Sequence, residues 1–155
     1  MKFLLALIIL LSLSFSTATT AQTALDEQIA LSRQSAHTDR KIIIMGNMTF
    51  TADESAQFWP AWNEYRAAAA ANGDRSLALI KDFAANYENM TAQKADELMT
   101  DYFSIEMQNL VVKQKFSQDI GKFMPAHKVM RVIQIENKLD AAINLQLASE
   151  IPLAQ

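Results

Sequence analysis

From Thr51 to Tyr87 one pattern repeats without a gap. Phe58, Trp62, Tyr65, Ala69, Asn72, Ser76, Ile80, Phe83 and Tyr87 follow one another in steps of three and four. Steps of that size gather side chains on one face of an α-helix. The face is aromatic at both ends and small in the middle, through Ala67 to Ala71. A stretch of roughly 36 residues makes about 54 Å of helix, too long for a compact four-helix bundle built from so short a chain. Composition agrees with helix. The 155 residues include three Gly, three Pro and only four Val, a balance poor in turn and strand formers. That balance argues against an all-β fold and against low-complexity disorder.

The punctuation of the chain supplies four helices. The first runs to about Met45, through Ile29, Ala30, Ala36 and Ile42 to Ile44, and Gly46-Asn47 stops it by tolerating a left-handed backbone. The rival reading of Lys41 to Met45 is a strand, which has no second strand to pair with. Thr51-Ala52-Asp53-Glu54 is a capping box that opens the long helix. Pro60 should kink that helix, and Asn72-Gly73 leaves two layouts open, one bent helix or two in line. Thr91 caps a third helix from Ala92 to about Lys122, with Leu98, Tyr102, Ile105, Val112, Phe116, Ile120 and Phe123 as its stripe. Met99, Phe103, Met107, Leu110 and Val111 widen that stripe. Pro125, taken as the first helical residue, opens a fourth helix that reaches Ser149. The expected fold is therefore all-α, about four helices in an elongated, curved antiparallel hairpin arrangement.

Residues 1–21 do not belong to that fold. Lys2 precedes an unbroken apolar run from Phe3 to Leu11, and Thr19-Thr20-Ala21 matches a small-x-small cleavage site. These are the parts of a secretory signal peptide. The run is short for a membrane span. Cleavage leaves a single helical domain, 22–155, whose first residues to 28 are expected to be loose. The expected location is the periplasm, with no membrane insertion after cleavage. The chain carries no Cys, so neither disulfide nor thiol chemistry is available to it. A net charge of −3 gives no basic surface for nucleic acid.

The two capped helix starts echo each other. Phe50-Thr51-Ala52-Asp53-Glu54 and Met90-Thr91-Ala92-Gln93-Lys94 are both apolar-Thr-x-x-polar. This resembles the paired LTxxQ motifs of the Spy/CpxP group of bacterial periplasmic proteins, with Glu54 and Lys94 where that motif has Gln. A closer likeness is to a set of proteobacterial exported helical proteins with no assigned activity. It covers most of the mature chain, through Phe58-Trp59-Pro60, Tyr65, Asp82-x-Ala84-Ala85-Asn86-Tyr87, Ile135 to Ala141, and Ile151-Pro152-Leu153. The Spy/CpxP resemblance implies a stress-linked chaperone or adaptor that binds unfolded or partner proteins on an apolar helical face. Some members of that group sense metals. No individual functional residue is carried over from it.

Signatures of catalysis are lacking: no nucleophile elbow, no HExxH and no Gly-rich phosphate loop. The expectation is a non-enzyme without cofactor or resident metal. Phe58, Trp59, Trp62 and Tyr65 form the densest aromatic group. They read as core, or as a partly exposed surface for client chains or a partner subunit, which includes a homodimer. These four are the candidate protein-binding residues. The alternative function is a metal-responsive accessory built on Met124-x-x-His127-x-x-Met130, with Met45-x-x-Met48 as a second soft pair. Methionines at helical spacing also serve as core filler. Asp96, Glu97 and Asp101 suit a helix N-terminus and solvent. Glu136 and Asp140 read as a solvated face whose partners lie on another helix, such as Arg66 or Arg75.

Overall fold

The computed structural model describes residues 38–154. The signal segment, the loose stretch to 28 and His37 lie outside the described residues. The chain divides between Lys41 and Ile42 into two compact units. Of the first unit only residues 38–41 are described, and all are helical. The second unit holds the core.

Four α-helices and no strand occupy the described residues. We number them α1 (38–47), α2 (Ala52–Asn86), α3 (Ala92–Ile120) and α4 (Ala126–Glu150). A short 3-10 turn, Tyr87–Asn89, joins α2 to α3. The fold is all-α, as the sequence indicated, and the strand reading of Lys41 to Met45 gives way to helix. Gly46-Asn47 ends α1 by a different device from the one expected. No described residue has a positive φ. The Asn47 side-chain amide instead donates to the Ile43 carbonyl at 2.8 Å, occupying one acceptor the last turn leaves open.

The capping box at the head of α2 forms in full. The Glu54 N–H donates to Thr51 Oγ1 at 3.2 Å, and the Thr51 N–H donates to Glu54 Oε2 at 2.8 Å. α2 then runs unbroken for 35 residues, through both Pro60 and Asn72-Gly73. Gly73 therefore does not stop the helix. Thr91 caps α3 by accepting from the Lys94 N–H at 3.1 Å. Pro125 stands one position outside α4, as its N-cap rather than its first helical residue. Its extended backbone aims its carbonyl at the N–H groups of Lys128 (2.9 Å) and Val129 (3.2 Å). The missing N–H of proline costs nothing there.

Cross-helix contacts fix the topology. Tyr65 stacks on Phe116, Arg75 donates to Ser104, and Asp82 pairs with Lys94. Partner numbers fall along α3 as they rise along α2, so the two are antiparallel. Glu54 meets Lys128 and Trp62 meets Glu136, a constant offset of 74, so α4 runs parallel to α2. The buried apolar cluster is Ile44, Phe58, Trp62, Tyr65, Phe116, Ile120, Met124 and Val132. It lies where the first halves of α2 and α4 meet the last half of α3. Each large side chain sealed there contributes about 1.5–3 kcal/mol. No helix among the described residues is long and apolar enough to cross a membrane.

Candidate functional site

The four nominated aromatic residues sit in this cluster. Phe58 and Trp62 are fully buried and Tyr65 nearly so, while Trp59 is half-buried against them. Phe58 and Trp59 meet edge-on at 5.0 Å between centroids, and Trp59 and Trp62 at 5.6 Å. Tyr65 lies flat on Phe116 at 4.5 Å. Of the two roles the sequence allowed for these rings, the geometry of Phe58, Trp62 and Tyr65 is that of core packing.

Glu136 belongs to the same place. It is fully buried, which corrects its reading as part of a solvated face. The Trp62 indole Nε1–H donates to Glu136 Oε1 at 2.9 Å, and Arg66 Nη1 lies 3.6 Å from Oε2. The buried carboxylate is thus held by a neutral donor and a cation, the pairing such a group requires. Arg66 also lies 5.5 Å from the Tyr65 ring centroid. Arg66 is among the cross-helix partners the sequence suggested, whereas no helix period reveals Trp62, 74 positions away.

Exposed charge is arranged in small clusters. Lys94 bridges Asp82 (3.2 Å) and Glu97 (3.1 Å), and both hydrogen bonds, Glu97 first, raise its pKa. The pKa of Glu97 is lowered by hydrogen bonds from Gln93 and then Lys94. Asp119 accepts from Lys115 at 2.7 Å and Lys122 at 2.6 Å, which together hold it down to about 2. Glu54 is lowered by Lys128 first and the Thr51 backbone second. These groups are engaged with one another. Among the described residues no group of three or more His, Cys, Asp or Glu is placed to hold a metal ion. Met124 is buried and shares the wall of a hollow of about 430 Å³ with the exposed Met130. His127 is exposed and forms no part of that wall. Met48 packs against the core, whereas Met45 is exposed.

An extended apolar surface lies beyond the core, where α2 and α3 continue and the end of α4 stands opposite. A groove of about 680 Å³ opens there. Leu79, Ile80 and Phe83 form one wall, Leu98 and Tyr102 another, and Leu147 with Ile151 the third. Its apolar lining extends onto solvent-exposed side chains of α3, among them Met99 and Phe103. Sequence periodicity had counted these as a widening of the buried stripe. The signal for their exposure was present. An apolar face spanning more than half the helix circumference exceeds what one neighbouring helix covers.

Neither a protein-family model, nor a curated protein, nor a solved structure matches this chain.

Proposed function

We propose that this is an exported periplasmic protein that binds unfolded or partner polypeptides on an apolar helical face, without catalysing a reaction. The supporting observation is the groove between α2, α3 and the end of α4, walled by aliphatic and aromatic side chains and open to solvent. Exposed apolar surface of that extent marks interaction sites on soluble proteins. Methionines beside aromatics adapt to varied apolar partners, because the thioether chain is unbranched and polarizable. Met90, Met99 and Phe103 supply that mixture here. The leader-like residues 1–21 and the two Thr-capped helix starts support the periplasmic and stress-linked parts of the reading.

The test is aggregation of a chemically unfolded client, followed by light scattering with and without the purified protein. Suppression is expected near stoichiometric ratio. Leu147→Asp places a charge on the groove wall from a half-exposed position and should abolish suppression while leaving the helical circular dichroism unchanged. No suppression at several-fold excess would overturn the reading.

A further inference from the structure

Charge is sorted by sign along the second unit. Residues 72–107, which supply the α2 and α3 walls of the groove, carry seven acidic side chains and three basic ones. Residues 108–140 carry three acidic and six basic. At the groove end, Asp82 and Glu97 share Lys94, and Arg75 donates to Ser104. Glu88, Asp96, Asp101 and Glu106 are exposed and have no ion-pair partner among the described residues. Three of these stand at the groove itself. Glu106 lines it. Asp96 lies one turn before Met99 and Asp101 one turn after Leu98, and both Met99 and Leu98 are lining residues. Side chains three apart on a helix are neighbours. The apolar groove therefore has an acidic rim.

The backbone of the walls narrows what can lie there. Apart from Met90, Ile151 and Ala154, every lining residue belongs to α2, α3 or α4. Within helices the N–H and C=O groups are taken up by one another. An extended chain laid in the groove would bury its own N–H and C=O groups without partners. A helix satisfies its own backbone and offers only side chains. Ala95 to Glu106 spans about 16 Å of α3, room for about three turns of such a helix.

Given that the groove binds polypeptides, on which the inference rests, we propose that it takes a cationic amphipathic helix of its partner. Aliphatic side chains of that helix, recurring at steps of three and four, seat between α2, α3 and the end of α4. Lys or Arg flanking them meet Asp96, Asp101 and Glu106. Cations held at an exposed rim stay hydrated, so they fix orientation and hasten encounter more than they deepen binding. The same rim repels acidic segments and anionic lipid headgroups.

Fluorescence anisotropy of labelled peptides of about 18 residues, titrated with the purified protein, tests this. One peptide sets Leu on one helical face and Lys on the other, and its twins replace Lys by Gln or by Glu. The Lys peptide should bind about tenfold more tightly than the Gln twin at about 0.05 M salt, and the advantage should vanish at about 0.5 M. The Glu twin should bind most weakly. Asp96→Asn/Asp101→Asn/Glu106→Gln should erase the Lys advantage and leave the affinity of the Gln twin unchanged. Asp53→Asn, at the far end of α2, should change neither. Phe103→Ala removes an exposed lining ring and should weaken all three peptides. An unchanged affinity there would place binding elsewhere and overturn the proposal. Equal binding of the Lys and Gln peptides, or a Lys preference that survives the triple variant, overturns it too. So does tight binding of a Lys peptide whose Leu residues are dispersed around the helix. A protein that suppresses client aggregation yet binds none of these peptides sinks the cationic helix and leaves the groove standing. A protein that does neither sinks both.

Discussion

Trp62 performs two tasks with one side chain. Its ring fills the core and its Nε1–H satisfies the buried Glu136. Trp62→Phe keeps most of the first and removes the second. A carboxylate that loses a buried donor costs about 1–3 kcal/mol, so urea unfolding should show that loss with an unchanged m-value. A loss below about 0.5 kcal/mol would mean that Arg66 and the other surroundings of Glu136 hold the carboxylate without the indole. Asn72 presents the opposite case. It is buried on the inner face of α2, and its Nδ2 has no hydrogen-bond partner among the described residues. Leu has nearly the same shape without the stranded donor. Asn72→Leu should therefore stabilise the protein by about 1 kcal/mol in the same assay. Destabilisation would show that the amide is satisfied in solution by ordered water.

At the scale of the helix, α2 persists through a residue that weakens it. A Cβ built on Gly73 meets nothing within 4 Å, and the backbone φ there is not positive. Gly73→Ala should add about 0.5–1 kcal/mol by restricting the unfolded chain, read as a raised thermal midpoint. A lowered midpoint would reveal strain at that site. The end of α3 carries a different tension. Asp119 lies in the last turn, where the helix dipole disfavours an anion, yet Lys115 and Lys122 hold its pKa at about 2. The folded value lies below the ordinary aspartate value of about 3.9. Its stabilisation is therefore complete above about pH 4 and is lost as pH falls toward 2. The thermal midpoint should drop across that window, and Asp119→Asn should flatten the drop. An equal drop in the variant would assign the effect to other carboxylates. These elements also show what was legible in advance. The Thr51 and Thr91 caps, the helical character of each segment and the core face of α2 are local in sequence, and they were read correctly. Gly46 and Pro125 were misread in detail, and Gly73 left two layouts open, because a residue's permissiveness does not dictate its use. Gly tolerates a left-handed backbone but adopted it at none of these positions. Glu136 was misplaced for another reason: its burial depends on Trp62 and Arg66 in a different helix.

Across the second unit as a whole, burial is distributed unevenly. Eight of its apolar side chains are sealed into one cluster at the Phe58–Phe116–Val132 end. Beyond it, only Leu98 and Ile105 of α3 among the described apolar residues reach comparable burial. There the helices face a groove instead of a core, and Ile143 and Leu147 continue the inner face of α4 while remaining more than 40% exposed. Local opening costs least where few apolar contacts must break. Native-state hydrogen exchange should therefore divide the helices along their length. Amides near Phe58 to Arg66, Val112 to Ile120 and Val129 to Glu136 should exchange only through global unfolding. Those near Leu79 to Asn86, Ala95 to Phe103 and Ile143 to Ser149 should exchange through smaller openings with little denaturant dependence. Uniform protection would contradict this division. The same measurement bears on binding. A client in the groove should slow exchange in the Leu79, Leu98 and Leu147 regions together. The groove end is also where binding can add the most protection, because the fold itself supplies the least there.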